Sequence, residues 1–134
     1  SELAGQEIRH YPDNDTLEID QVRLHSYNKD GQLTVITANT ALSNGDGSEV
    51  QFFGNAHVVR DAYLDASGKQ VPRIELRSEF LHAIMDTERI TTSKPVELIR
   101  GKDRFTADAM DYDNVNRVME LKGRVVGVLV PNKP

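Results

Sequence analysis

The sequence predicts an all-β fold: a sandwich, barrel or jelly roll in which two antiparallel sheets face each other. Three observations predict it. Turn-forming clusters recur about every 10–20 residues, as in proteins built from many short strands. The segments between them alternate polar and apolar side chains and are rich in Val, Ile, Thr and Phe. Finally, one small-residue pattern returns four times at a single spacing.

In that pattern a small residue within an apolar stretch is followed 16 positions later by a turn-prone or polar residue, and two positions after that by an apolar one. The copies are Ala4, Asp20 and Val22; Ala38, Gly54 and Ala56; Ser78, Lys94 and Val96; and Ala107, Gly123 and Val125. A bulky apolar residue stands two before the small one in three copies, at Ile36, Leu76 and Phe105. Fixed spacing means one strand-turn-strand unit stacked repeatedly, because a lone amphipathic hairpin cannot bury its apolar face.

The elements follow in order. Pro12 to Asp15 is the first turn, dividing the opening segment from the strand that reaches Val22. Asn28 to Gly31 turns the chain into the strand of Ile36 and Ala38, and Asn44 to Gly47 returns it through Val50, Phe52, Gly54, Ala56 and Val58, which alternate cleanly. Ala66 to Lys69 marks the next turn. Beyond it, Leu81, Ile84 and Met85 are spaced for one side of a helix, while Leu76, Phe80 and Ile84 share one face of a strand; the place of this segment in the repeat favours the strand. After Asp86 to Glu88, alternation resumes at Ile90, Thr92, Lys94, Val96 and Leu98. Gly101 to Asp103 and Asp113 to Asn116 frame the Phe105 strand, and Met119, Leu121, Gly123 and Val125 alternate in the last copy. Val125 to Val130, ended by Pro131, is a strand length and an edge. Pro72 and Pro95 belong at strand starts, bulges or edges, since neither donates to a ladder.

Side chains two apart share a face, so Ile36, Ala38 and Thr40 are expected to point together, as are Leu76, Ser78 and Phe80, and Phe105, Ala107 and Ala109. Small residues flanked by large ones either fill the layer between two sheets or leave a lengthwise groove in it. Gly54, Gly123 and Gly127 suit places where a strand bends or bulges.

Composition narrows the function classes. At 134 residues the chain is expected to be one domain over 1–134. Its net charge of −5 is spread along the sequence, with no basic stripe for a nucleic-acid backbone. There is no cysteine, hence no disulfide or thiolate chemistry. His10, His25, His57 and His82 are dispersed without metal-ligand spacing. Asp108, Asp111 and Asp113 lack the glycine and closing glutamate of a calcium loop and read, like Asp13 and Asp15, as turn formers. No nucleophile elbow or phosphate-cradling glycine loop is present. A non-enzymatic protein without cofactor or metal is the expectation. The chain opens in mid-pattern without a starting methionine and reads as a fragment of a longer protein.

The segments LAGQEIRHYPDNDTLEIDQVRL, VITANTALSNGDGSEVQFFGNAHVVRD, IELRSEFLHAIMDTERITTSKPVELIRG and RFTADAMDYDNVNRVMELKGRVVGVL resemble, in order and spacing, the LptC family of lipopolysaccharide-export proteins of Gram-negative bacteria. The steps FFGNAHVVRDA and TTSKPVEL carry much of the likeness. Bridge proteins of the LptA type share the repeat and are the close alternative.

The resemblance implies an open, V-shaped β-jelly-roll of two antiparallel sheets, periplasmic and tethered to the inner membrane by an N-terminal helix absent from this sequence. It implies an apolar interior that receives lipid A acyl chains, lined by Ile36, Ala38, Phe52, Ala56, Leu76, Phe80, Leu98, Phe105, Ala107, Met119, Leu121 and Val125. It implies lipopolysaccharide, LptA and the LptB/LptF/LptG inner-membrane transporter as partners, with LptA meeting an edge at Val126 and Val128, and a homodimer or head-to-tail oligomer through edge strands. Two other classes stand beside it: a β-sandwich interaction module with a packed interior, and a lectin-like jelly roll, which the absence of Trp and the presence of only four Tyr disfavour.

Overall fold

Local sequence sets the strand ends. Asn28 Oδ1 accepts from the amides of Asp30 and Gln32, and Asp65 Oδ1 from those of Ser67 and Lys69. Asp113 Oδ1 does the same for Val115 and Asn116. Each short side chain replaces a ladder bond with a local one and reverses the chain. The computed structural model describes residues 1–131. Its strands are β1 (Glu2–Ala4), β2 (Glu7–Tyr11), β3 (Thr16–Tyr27), β4 (Leu33–Asn44), β5 (Glu49–Arg60), β6 (Tyr63–Leu64), β7 (Gln70–Val71), β8 (Ile74–Ile84), β9 (Arg89–Thr92), β10 (Val96–Arg100), β11 (Asp103–Ala107), β12 (Ala109–Asp113), β13 (Val118–Lys122) and β14 (Val126–Val128). The segment 79–85 is strand as far as Ile84.

All pairing is antiparallel, and apart from the small β6-β7 ribbon the strands form one continuous hydrogen-bonded surface. It has two halves. The first runs β1-β3-β4-β5-β8-β10-β11-β14, and the second runs β2-β3-β4-β5-β8-β9-β12-β13. Strands β3, β4, β5 and β8 belong to both, because each bends at its middle and passes from one half to the other. Among the described residues the terminal strands β1, β2, β13 and β14 pair on one side only, and the sheets do not close into a barrel. This is an open β-jelly roll.

The crease where the halves meet coincides with the sequence repeat. Ala38 and Asn39 lie against Gly54 and Asn55, whose φ angles are 77° and 50°. Ala107 and Asp108 lie likewise against Gly123 and Arg124, at 70° and 42°. A Cβ on Gly54 would stand 2.7 Å from Asn39 Nδ2, and one on Gly123 would stand 2.7 Å from Asp108 Oδ2. In the first copy the glycine moves to the other arm: a Cβ on Gly5 would collide with Ile19 and the Asp20 carbonyl. The third copy has no glycine; there Ser78 Oγ donates to the Pro95 carbonyl at 3.0 Å. Pro95 sits between β9 and β10, and Pro72 just ahead of β8, where neither owes a ladder donor.

Bending changes which side chains face inward. In β4 the buried positions run Ile36, Ala38, then Ala41 and Ser43; in β8 they run Leu76, Ser78, then Leu81 and Ala83; across β11 and β12 they run Ala107, then Met110 and Tyr112. The inward step across the crease is three residues rather than two. Thr40 and Ala109 therefore do not share the inner face with Ala38 and Ala107, and Phe80 does not share it with Leu76. Strand β5 keeps its parity because Gly54 and Asn55 bulge as a pair opposite Glu79, so Phe52 and Ala56 both stay inside.

Candidate functional site

Facing residues of the two halves form one apolar layer. Val22, Ile36, Val58 and Leu76 contribute from the first half, and Ile19, Phe52, Leu81 and Met110 from the second. At its centre the halves meet: Phe52, Leu76 and Leu81 are each 0% exposed. Toward the open edges the layer loosens. Phe105, Met119 and Leu121 are only partly buried on the β13/β14 side, and Leu3 on the β1 side. The apolar seam thus runs across the strands from one free edge of the sheet to the other.

Ten of the expected interior residues converge here. Ile36, Ala38, Phe52, Ala56, Leu76, Leu98 and Ala107 belong to the buried cluster, with Phe105, Met119 and Leu121 packed against it. Two do not. Phe80 lies on the outer face of the second half, its ring 5.3 Å from that of Phe53, because the three-residue step at Glu79 puts Leu81 inside instead. Val125 is 49% exposed, because it lies in the bend ahead of β14, beyond the last packed layer. Val126 and Val128 stand opposite Thr106 and Arg104 on the terminal strand, both exposed. Gly127 faces the Phe105 ring so closely that a Cβ would lie 2.8 Å from it.

Alternation alone misses Leu81, Ala83, Met110 and Tyr112. Their signal is the polar residue after each small one, at Asn39, Glu79 and Asp108, which marks where period two breaks.

At the end away from the crease, a polar bridge joins the halves. Arg60 of β5, 4% exposed, donates to the Tyr112 hydroxyl at 2.8 Å and to Asn114 Oδ1 at 3.3 Å. The Tyr112 hydroxyl donates to Asn114 Oδ1 at 2.7 Å, and Asn114 Nδ2 to Glu88 Oε1 at 3.1 Å. Burial pushes the Tyr112 phenol above its ordinary value, so it stays a donor. Tyr112 separates two cavities. One, about 40 Å³, has apolar walls at Ile36, Ala83 and Ile90. The other, about 290 Å³, lies between β8, β10 and the second half.

This geometry has a counterpart among known families. A family described as "Lipopolysaccharide-assembly, LptC-related" matches residues 1–130. The chain belongs to that family. Its structure is similar to the crystal structure of LptH, described as the LptA-homologous periplasmic component of the conserved lipopolysaccharide transport device from Pseudomonas aeruginosa. The TM-score is 0.76 at 13% identity, over 97% of this chain and 94% of that one. At that identity the likeness speaks for the fold, an LptA-like jelly roll. No curated protein matches the sequence significantly.

Proposed function

We propose that this LptC-family domain carries lipopolysaccharide without altering it, accepting it from the LptB/LptF/LptG transporter of the inner membrane and passing it to an LptA-type bridge in the periplasm. A membrane helix upstream of Ser1 would tether it, and residues 1–134 act as one carrier domain. The observation that carries this reading is the apolar seam reaching both open edges of an unclosed sheet. Each methylene sheltered from water contributes roughly 0.8 kcal/mol, so a lipid with several acyl chains gains many kcal/mol from partial cover. Edge-to-edge pairing with the same fold would extend the seam from molecule to molecule, with β14 as the strand offered to LptA.

Lipid entry requires the halves to part around Phe52 and Leu76. Their full burial favours a second reading, an interaction module that binds only at its edges. A lipid A analogue or a hydrophobic dye distinguishes them, since a permanently packed interior takes up neither. Purified domain is expected to co-elute with lipopolysaccharide and to return it unmodified by mass spectrometry; a cleaved or dephosphorylated product overturns the non-enzymatic reading. Phe105→Asp places a carboxylate at the looser end of the seam. The variant is expected to fold by circular dichroism and to lose lipid capture.

A further inference from the structure

We propose that the larger cavity at the open end of the jelly roll is an anion site for the phosphate-bearing head of an amphiphile, with Arg60 at its base. The inference rests on reading the adjoining seam as a lipid groove. Arg60 is buried, yet its partners are all neutral oxygens: the Tyr112 hydroxyl, Asn114 Oδ1 and, at 3.4 Å, the Pro72 carbonyl. Its Nε has no hydrogen-bond partner, and among the described residues no carboxylate lies within ion-pair distance of it. The Tyr63 ring 5.4 Å from the guanidinium offers only a quadrupole. A buried guanidinium without a counter-charge is costly and invites an anion.

The rest of the cavity wall agrees. Lys69, Arg100 and Arg117 line it with Arg60, and among the described residues no acidic one does. Arg117 has Asp65 at 3.9 Å, while Lys69 and Arg100 have no ion pair among the described residues. Four cations thus gather in a chain whose net charge is −5. The remaining wall is apolar at Ile74, Leu98 and Met119, and Leu98 and Met119 continue into the seam. A volume of about 290 Å³ far exceeds what one water needs. Guanidinium forks match phosphate oxygens in pairs, and an alkyl chain attached to that phosphate has an apolar wall to follow.

The test measures calorimetric affinities for three probes: dodecyl phosphate, dodecyl maltoside with the same chain and a neutral head, and inorganic phosphate. Dodecyl phosphate is expected to bind at least tenfold tighter than the maltoside. The surface-exposed pair Arg100→Gln/Arg117→Gln is expected to fold and to cut that preference to under threefold, and Arg60→Met to do the same where it folds. Equal affinity for the two amphiphiles, or an undiminished preference in the rim variant, overturns the anion site while leaving the lipid groove standing. Inorganic phosphate bound through these arginines with neither amphiphile taken up supports the anion site and refutes the groove.

Discussion

A methyl group at Gly54 would meet the Asn39 amide on a backbone at φ 77°, whereas one at Gly31, at φ 80°, would meet nothing within 4 Å. The two glycines share the conformational strain and differ in the close approach. Gly31→Ala is expected to cost about 1 kcal/mol and Gly54→Ala about 2–3 kcal/mol in urea unfolding. Equal costs show that Asn39 yields freely. At Glu75 the residue scale sets a pH dependence. Arg73, His57 and Arg77 surround its carboxylate on the outer face, at 2.8, 2.6 and 2.8 Å. Led by the Arg73 bond, they hold its folded pKa at about 2, below the ordinary 4.5. A depressed carboxylate stabilises the fold fully above its unfolded pKa, and that contribution disappears as pH falls from about 4.5 through 2. Glu75→Gln is expected to flatten the melting temperature over that window. An unaltered acid slope assigns the effect to other carboxylates.

At the scale of elements, β14 is the testable edge. It is three residues long, pairs among the described residues only with β11, and exposes Val126 and Val128. Val126→Pro or Val128→Pro is expected to keep the buried cluster and lipid uptake intact while abolishing co-purification with LptA, because proline deprives an edge of a donor and blocks an added strand. Normal co-purification moves the docking edge to β1 and β2, and loss of folding makes β14 structural. The strands and their turns were legible in the sequence, since alternation and Asn, Asp and Gly clusters are local signals. The repeat was legible too, but its meaning was not. It marks a crease, and a crease adds a residue to the inward step, so Phe80, Thr40 and Ala109 were read onto the wrong face. Phe80 is the instructive case: its aromatic ring suits a core, but the three-residue step at Glu79 turns it outward, where it packs on its pair Phe53. Arg60 lies in phase with Ala56 and Val58, so alternation points it inward; what hid it is that a charged side chain at a strand end is ordinarily solvated.

At the scale of the whole molecule, the strands of each half follow one another in chain order, and among the described residues the first and last strands do not pair. Such a sheet lacks the closing ladder of a barrel, and what ties its parts together is the layer shared by the two halves and the Arg60–Tyr112 bridge. Along the ladder itself, each hairpin is held by its two neighbours, as in a zipper. Amide exchange is therefore expected to be slowest in β4, β5 and β8 and to quicken outward to β1 and β14; uniform protection would contradict this. The same order governs assembly kinetics. Ladders join strands in chain order within each half, the loop that carries β6 and β7 lying between β5 and β8, so pairing can proceed hairpin by hairpin, while the contacts between facing halves close over longer separations. A molecule docked on the edge then continues the zipper, and the ends that fray first in isolation become interior rungs. Binding a neighbour should slow their exchange far more than that of the centre.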